Sequence, residues 1–503
     1  MMYGEEKSDS LIVAANLANN PQGAESVERR SGAKGNAEQP HMRRTQSRES
    51  MSQRLSRVRE AAKQRKKERF TALFHPLTAE ALENAFLSLS RKAAAGVDGV
   101  RWKDYAENLK VNIADLHRRL HQGSYRAQPG RRHYIPKADG KQRPLGIASL
   151  EDKIVQYALV KILNAVYEND FMGFSYGFRP GRSQHNALDA LATGLVRTNV
   201  NWVLDADISQ FFDKVSHEWL IRFIEHRIGD QRVIRLIRKW LTAGTSEEGE
   251  WRASEEGEWR ASEEGTPQGA VISPLLANIY LHYVFDLWAH QWRRRHATGN
   301  VVMVRYADDI VIGFDKRIDA QCFRIAMQRR LKEFGLTVHP KKTRLTEFGR
   351  FAAENRASRG KGKPETFNFL GFTHISGKDR SGRFMLIRKT RRDRMTATLK
   401  AIKDGLRKRW HYSIPEQGKW LRRVVQGYLN YHSVPGNYPM MRKFRIYVTD
   451  LWRRALRRRS QQDDTTWTKA NRLAAVWLPK VRVLHPWPVE RFTARHPRQE
   501  PGA

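Results

Sequence analysis

The feature that most constrains this chain is a pair of adjacent carboxylates, Asp308 and Asp309, set between two short apolar runs at 301–304 and 310–314. Such runs, joined by a turn, predict two buried strands of a hairpin. Like charges held side by side on a buried hairpin are unfavourable unless a cation neutralises them. Mg²⁺ is the expected cation, because it prefers carboxylates together with phosphate oxygens. A turn that merely uses two Asp residues is the alternative at this point.

The charge of the whole chain indicates a polyanionic partner. Lys and Arg total 91 against 53 Asp and Glu, which gives a formal net charge of +38 over 503 residues. Such an excess favours nucleic acid binding, and the length suffices for two or three domains. Cys322 is the single cysteine, which excludes disulfides within the chain and multi-cysteine zinc sites. Its helical surroundings predict a buried structural thiol.

Two further observations bear on the cellular location of the protein. No apolar stretch of the sequence is long enough to span a bilayer. The N-terminus carries Glu5, Glu6 and Asp9 where a signal peptide would carry positive charge. We therefore expect a cytoplasmic protein without membrane contact.

Patterning along the chain predicts a mixture of helices and short strands. A cationic helix is expected over 52–69, a hairpin over 131–147 and a strand over 201–208. Helix starts are predicted at three N-cap residues, Thr78, Ser183 and Ser216. From 388 to 459 the sequence is rich in Lys and Arg with interleaved Trp and Tyr. Basic amphipathic helices with aromatic residues are typical of nucleic acid binding, and an idle basic surface is the alternative.

An exact octapeptide repeat lies between the predicted strands. Residues 246–253 recur without change as 254–261. Such identity indicates a recent duplication in a surface loop, and eight extra loop residues cost about 1 kcal/mol or less. The duplicated Glu residues stand just before Gln268, where they would repel nearby phosphate groups.

A third carboxylate is expected beside the hairpin. Nucleotidyl transfer uses two metal ions a few ångströms apart, and one hairpin cannot easily supply ligands for both. Asp207 lies at the end of the predicted strand 201–208. Period-two alternation places Asp205 on the same face, so both residues are candidates on geometry alone.

The order of these motifs resembles that of reverse transcriptases. The series consists of Asp207-Ile208 with Phe211-Phe212, then 266–269, 306–309, Gly335-Leu336 with Lys342-Thr343, and 369–372. Three further segments narrow the resemblance to the group II intron-encoded reverse transcriptase/maturases: 143–147, 177–183 and 427–431. The resemblance extends over about residues 52 to 460.

The resemblance implies an α/β (α+β) right-hand polymerase. Fingers and palm would hold a small antiparallel sheet with helices, and an all-α basic thumb would form the maturase domain X. The implied divisions are a disordered N-terminal extension at 1–51, fingers and palm with the basic helix at 52–385, the thumb at 386–462, and a short basic C-terminal tail at 463–503. With one cysteine, the sequence lacks the paired CxxC sites of an endonuclease, so we expect the lineage without an HNH endonuclease domain.

The implied activity is RNA-directed DNA synthesis from dNTPs with Mg²⁺, or Mn²⁺ in its place. Intron RNA would be template and splicing partner, and target DNA would supply the primer during retrohoming. No membrane partner is expected, and a homodimer stays open. Two alternatives remain: a reverse transcriptase of a non-intron system serving phage defence or diversity generation, and an RNA-binding splicing factor with impaired polymerase activity.

The resemblance also assigns site residues. Asp207, Asp308 and Asp309 would be the catalytic acids around the metals, with Asp207 and Asp308 as direct ligands. The carbonyl of Ile208 would add a metal contact, and Asp205 would be structural.

The resemblance also implies residues that contact the incoming nucleotide and the primer or template strand. Phe212 would exclude ribonucleotides by clashing with the sugar 2′ position, and Lys342 would protonate the leaving pyrophosphate. The remaining nucleotide contacts would be Gln268, Arg143 and Lys137. The primer or template contacts would be Gly269, Arg179, Arg182 and the primer-grip turn Leu370-Gly371.

Overall fold

The structure is a computed structural model. It describes residues 51–136, 142–246, 264–266, 268–459 and 465–495. The expected disordered extension, the hairpin turn with Lys137 and most of the octapeptide repeat lie outside these residues.

The first half of the described chain is mainly helical. Its helices are α1 (Met51–Gln64), α2 (Ala79–Ser88), α3 (Trp102–Glu107), α4 (Leu109–Gln122), α5 (Leu150–Tyr167), α6 (Gln184–Arg197), α7 (His217–Arg227) and α8 (Gln231–Thr242). Its strands are β1 (Gly130–Pro136), β2 (Gln142–Ile147), β3 (Trp202–Asp207) and β4 (Thr245–Ser246), and a 3₁₀ turn spans Phe211–Asp213.

The second half begins with a long helical segment and ends in a helical bundle. Its helices are α9 (Ser273–Leu281), α10 (Leu287–His296), α11 (Arg317–Glu333), α12 (Ala352–Ala357), α13 (Arg392–Arg407), α14 (Ile414–His432), α15 (Tyr438–Arg457), α16 (Trp467–Trp477) and α17 (Pro488–Arg495). A π-helical turn, His282–Asp286, joins α9 to α10. The strands are β5 (Val301–Tyr306), β6 (Asp309–Phe314), β7 (Arg344–Glu347), β8 (Phe367–Phe369), β9 (Phe372–Lys378) and β10 (Phe384–Thr390).

Local sequence signals account for the helix starts. The predicted N-caps are confirmed, since the side chains of Thr78, Ser183 and Ser216 each accept a backbone N–H bond from the first turn of α2, α6 and α7. These bonds satisfy donors that a helix end would leave unpaired. The predicted cationic helix is present as α1, but it ends at Gln64 and not at Arg69.

The central sheet has four antiparallel strands in the order β5-β6-β3-β7. Both faces of this sheet are covered. Leu204 and Ile312 pack into the core shared with α9 and α11, whereas Val203 and Val311 pack against α6. Burial on both faces explains why these strands are almost continuously apolar. The acidic residues lie where β3 ends and β6 begins, at the same end of the sheet.

Two smaller sheets have three strands each. In one of them, β1 and β2 form the predicted 131–147 hairpin, which is confirmed, and β1 also pairs with β4. The other sheet has the order β10-β9-β8. It leads into α13, α14 and α15, which pack around Leu421, Phe444 and Trp452.

The segment expected as a short basic C-terminal tail, 463–503, contains two packed helices in its described part. Helix α16 packs on α14 and α15, and α17 packs on α6. Arg491 of α17 donates to both carboxylate oxygens of the buried Asp189 on α6. The partners are 302 residues apart in sequence, so local pattern could not reveal the contact.

The predicted burial of Cys322 is wrong, because its side chain is exposed. Helix α11 turns Ala320, Phe323 and Met327 into the core, and Cys322 lies outside that stripe. Within the part of the chain that the structure describes, no helix combines the length and the apolar character needed to cross a membrane.

Candidate active site

Three acidic residues lie at one end of the central strands. The antiparallel register of β3 and β6 sets Asp207 directly opposite Asp309. Asp308 lies in the turn between β5 and β6, after Ala307, whose φ of 56° is unusual for a residue with a side chain. The structure thus brings together the three acids that the sequence singled out.

The electrostatics of this edge are unfavourable for the acids alone. The pKa of Asp309 is raised to about 6, mainly by partial burial and, to a smaller extent, by the negative charges of Asp308 and Asp207. Asp309 has an exposed surface, yet protein surrounds its carboxylate closely enough to weaken hydration. Burial, followed by the charges of Asp309 and Asp207, raises the pKa of Asp205 to about 7. The site therefore has an excess of negative charge that a cation would relieve.

Lys342 supplies a positive charge at this edge. Its Nζ lies 2.8 Å from Oδ2 of Asp207, while the lysine side chain is largely exposed. Among the described residues, no three His, Cys, Asp or Glu side chains converge as a preformed metal cluster. The oxygen donors and their mutual repulsion nevertheless fit Mg²⁺ or Mn²⁺, with the Lys342 ammonium as the present counter-charge.

Ile208 follows Asp207, the last residue of β3. It lies in an antiparallel bridge opposite Val338. The carbonyl of Asp207 accepts from the N–H of His339 at 2.7 Å, and the N–H of Ser209 donates to the carbonyl of Thr337 at 2.8 Å. Both bonds use residues flanking Ile208 and fix the end of β3.

Phe212 and Gln268 lie on two segments that are bonded together. The carbonyl of Phe212 accepts from the N–H of Thr266 at 2.7 Å. Nε2 of Gln268 donates to Oδ1 of Asp213 at 3.1 Å. The half-buried ring of Phe212 packs at the edge of the main core, beside Phe211.

Gly269 permits a close backbone approach, and the neighbouring segment is β2. A Cβ on Gly269 would lie 3.0 Å from the carbonyl oxygen of Gly146, and the φ of Gly269 is 112°. The N–H of Gly146 also donates to the carbonyl of Gln268 at 2.7 Å. Arg143 is on the same strand, paired with Ile135, and its side chain lies outside the described structure.

The Leu370-Gly371 turn connects β8 to β9. Both residues have positive φ, 44° and 80°. The hydroxyl of Tyr431 donates to the carbonyl of Leu370 at 2.7 Å, and a Cβ on Gly371 would meet the same ring at 3.5 Å. This turn is therefore held against α14.

Arg179 and Arg182, for which the resemblance implies template or primer contacts, have partners within the protein. Arg179 is buried, forms an ion pair with Glu168 at 2.9 Å, and donates to the carbonyls of Met172 and Ser175. Arg182 donates to the carbonyls of Gly173 and Ser175. Because these guanidinium groups are engaged within the protein, both residues shape the 172–183 loop.

Sequence reasoning missed a buried residue beside the acids. Arg305 of β5 is fully buried, and it donates to Asp286, Asn278, Ser175 and the carbonyl of Ala307. The available signal was a charged residue inside an otherwise apolar strand, immediately before Tyr306.

Comparison with known proteins gives a family match over the same region. Residues 135–374 match the family described as reverse transcriptase (RNA-dependent DNA polymerase). The chain is 42% identical over 214 residues to Protein YkfC of Escherichia coli (strain K12), covering 42% of this chain and 54% of that protein.

Two intron-encoded proteins are also similar. Identity is 36% over 231 residues to the group II intron-encoded protein LtrA of Lactococcus lactis subsp. cremoris, covering 45% of this chain and 37% of LtrA. Identity is 26% over 401 residues to the putative COX1/OXI3 intron 1 protein of Saccharomyces cerevisiae, covering 66% of this chain and 46% of that protein. The chain thus spans about half, or less, of the length of these curated relatives. The chain is thus similar to reverse transcriptases, including a group II intron-encoded one, and the matched region 135–374 combines helices with small antiparallel sheets.

Proposed function

We propose that this chain is an RNA-directed DNA polymerase that extends a DNA primer on intron RNA and binds the same RNA to assist splicing and retrohoming. The observation that carries the proposal is the register of the central sheet, which sets Asp207 opposite Asp309 and beside the turn with Asp308. Similarity to LtrA, whose name describes a group II intron-encoded protein, supports the link to an intron.

The three acids would bind divalent metal. Asp207 and Asp308 would be direct ligands, Asp309 would complete the negative surroundings, and the Ile208 carbonyl would add an oxygen. When bound, Mg²⁺ would lower the pKa of the primer 3′-hydroxyl and stabilise charge on the triphosphate. The raised pKa of Asp309 supports this proposal, because the free site has more negative charge than its surroundings neutralise.

Lys342 would have two roles that depend on the state of the site. In the free protein its ammonium pairs with Asp207. With metal and dNTP present, it would release that carboxylate and donate a proton to the leaving pyrophosphate. Its largely exposed side chain can make this movement with little loss of packing.

Other residues would select and hold the nucleotide. The ring of Phe212 would exclude the ribose 2′-hydroxyl, and the Gln268 amide would contact the incoming nucleotide or template after leaving Asp213. Arg143 and Lys137, at the end of the β1–β2 hairpin, would reach the triphosphate. Gly269 would act through its contact with Gly146, which links the hairpin to Gln268.

We further propose a right-hand arrangement of the domains. Fingers and palm would extend to about residue 385, and the helices of 386–462 would form the thumb. Tyr431 of α14 supports this division, since it contacts the Leu370 carbonyl at the proposed primer grip. The intron RNA would bind basic surface such as the groove lined by Arg422, Arg423, Lys480 and Arg482.

The test is extension of a labelled DNA primer on an RNA template with dNTPs and Mg²⁺, with a chelator control. We expect metal-dependent extension and much weaker incorporation of ribonucleotides. Tight binding of the RNA with no extension would instead favour the splicing factor with an impaired polymerase.

A reverse transcriptase of a non-intron system is distinguished by the DNA around the reading frame. We expect group II ribozyme domains to flank the gene. Their absence, with polymerase activity intact, would remove the maturase part of the proposal and leave the polymerase part.

A further inference from the structure

Arg305 is a buried charge next to the turn that carries Asp308. It belongs to β5, where the four preceding residues are apolar, and its side chain has no exposed surface. A buried guanidinium is costly unless each donor finds an acceptor in good geometry. The partners of Arg305 therefore indicate what it holds.

All five N–H groups of Arg305 have acceptors. Nε and Nη2 donate to the two carboxylate oxygens of Asp286 at 2.7 and 2.6 Å. Nη2 also donates to Oγ of Ser175 at 2.7 Å, and Nη1 donates to Oδ1 of Asn278 at 3.2 Å. The last bond runs from Nη1 to the carbonyl of Ala307 at 3.0 Å.

The carbonyl of Ala307 is the functionally important acceptor. Its peptide unit joins Ala307 to Asp308, so its orientation sets where the Asp308 side chain starts. Ala307 has a left-handed backbone, with φ at 56°, which costs about 1–2 kcal/mol for a residue with a Cβ. Such a conformation persists only when its surroundings impose it.

A second contact closes on the same turn. Gly177 approaches so closely that a Cβ on it would lie 2.2 Å from the Ala307 nitrogen. The carbonyl of Gly177 accepts from Nδ2 of Asn278 at 2.7 Å, and Asn278 also accepts from Arg305. Arg305, Asn278, Gly177 and Ala307 thus form a closed ring of contacts.

We propose that Arg305 is the positioning residue of the Tyr306–Asp309 turn. Its bond to the Ala307 carbonyl holds the left-handed turn and thereby aims the Asp308 carboxylate. Asp286 neutralises Arg305 and fixes its plane from the π-helical turn. The effect on metal affinity rests on the proposed function, whereas the effect on the turn does not.

Arg227 provides a matched control. Its guanidinium is also buried and pairs with a carboxylate, that of Asp170 at 2.8 Å. It donates to the carbonyls of Arg65, Glu68 and Ala62, which hold the end of α1 and the segment after it. Arg305→Lys and Arg227→Lys therefore remove similar buried interactions, but only the first one affects the acidic turn.

The experiment compares the two variants with wild type by thermal unfolding, hydrogen exchange of the 301–314 peptide, and Mn²⁺ binding followed by electron paramagnetic resonance. We expect both variants to lose stability. Only Arg305→Lys should speed exchange in the turn and weaken Mn²⁺ binding, each by about tenfold or more. Equal exchange in the turn of both variants would overturn the proposal.

Two outcomes separate this inference from the proposed function. In the first outcome, Arg305→Lys exchanges faster in the turn but the wild-type protein does not bind Mn²⁺. This result would support the positioning role of Arg305 and contradict the proposed metal site. If Arg305→Lys fails to fold, Ser175→Ala decides the question, because it removes one acceptor of Arg305. We expect a smaller acceleration of exchange in the turn for Ser175→Ala, and unchanged exchange would overturn the proposal.

Discussion

Charged side chains have opposite effects at the acidic end of the central sheet and at the contact between α17 and α6. At the sheet edge, Asp205, Asp207 and Asp309 repel one another, and burial raises the pKa of two of them. At the second contact, Asp189 lies between Arg388 and Arg491 in a buried cluster of opposite charge. The first arrangement costs stability and would favour a bound cation, whereas the second holds α17 against α6.

The comparison predicts that function and stability depend on different residues. In the first region, a substitution that removes a carboxylate should reduce activity and spare the fold. In the second, a substitution that removes an ion-pair partner should reduce stability and spare the chemistry per folded molecule. The predictions below test this separation from the largest expected effect to the smallest.

Asp207→Asn should show the largest effect. We expect primer extension to fall by about a thousandfold or more, because the side chain loses its charge for metal binding. The free energy of unfolding should stay near the wild-type value, since the ion pair of Asp207 with Lys342 is partly exposed. Single-turnover extension and urea unfolding measure the two quantities. A large loss of stability with an unchanged rate of primer extension would show that Asp207 serves the fold and not the activity.

Arg491→Ala should lower the free energy of unfolding by about 3 kcal/mol, because it removes the main partner of a buried carboxylate. Extension per folded molecule should stay unchanged. The control is Arg222→Ala, whose ion pair with Glu218 is exposed on both sides and should contribute about 0.5 kcal/mol or less. Equal urea midpoints for the two variants would show that the contact between α17 and α6 adds no stability.

Phe212→Ala should relax the choice of sugar. Removing the ring opens space beside the proposed 2′ position, and we expect discrimination between dNTP and rNTP to fall by about tenfold or more. The ratio of kcat/KM values for dGTP and GTP measures this effect. An unchanged ratio would assign Phe212 to core packing with Phe211.

In the metal-free protein, pH should act with opposite sign on Asp205 in the acidic region and on His374, a buried residue of β9. Folding raises the pKa of Asp205 from 3.8 to about 7, so the folded state binds more protons and stability falls as pH rises through this range. Burial, followed by the charge of Arg388, lowers the pKa of His374 from 6.5 to about 3. The folded state then binds fewer protons, and stability is lost as pH falls through that range.

Two variants isolate these contributions. Relative to wild type, Asp205→Asn should gain stability as pH rises between about 4 and 7, and His374→Phe should gain stability as pH falls between about 6.5 and 3. His374 is a suitable site because its buried ring stacks on that of Phe367, with the ring centroids 4.7 Å apart. Parallel pH curves in urea unfolding with chelator would contradict the assignment.

Deletion of one octapeptide copy, 246–253, should have the smallest effect. The following copy restores the same sequence, and loop closure changes the free energy of unfolding by about 1 kcal/mol or less. Primer extension should stay equal or rise, since the deletion removes Glu residues near Gln268. A large loss of activity would show that the duplicated segment has a function of its own.

The two regions also differ in how much of them the sequence predicts. The acidic hairpin, the strand with Asp207 and the caps Thr78 and Ser183 follow from local pattern, because each depends on neighbours within a few residues. The bond of Arg491 to Asp189 does not, because it joins residues far apart in the chain. Local pattern in the C-terminal segment therefore does not reveal that α17 packs on α6.

Arginine shows the same limit inside the site. Sequence alone does not separate an Arg that binds phosphate from one that binds partners within the protein: the resemblance implies a primer or template contact for Arg179, and the structure pairs its guanidinium with Glu168. Arg305 was overlooked because its main partner, Asp286, comes from a π-helical turn that has no clear sequence signal. The acids could be predicted, whereas the contacts that orient them could not.

The most direct test of the central claim is primer extension on an RNA template by wild type, Asp308→Ala and Asp315→Ala. Asp315 follows β6 at the end away from the acidic turn, so it controls for loss of a carboxylate near the same strand. We predict Mg²⁺-dependent extension by wild type and Asp315→Ala, and a rate at least about a thousandfold lower for Asp308→Ala. Extension by Asp308→Ala at the wild-type rate would contradict the account.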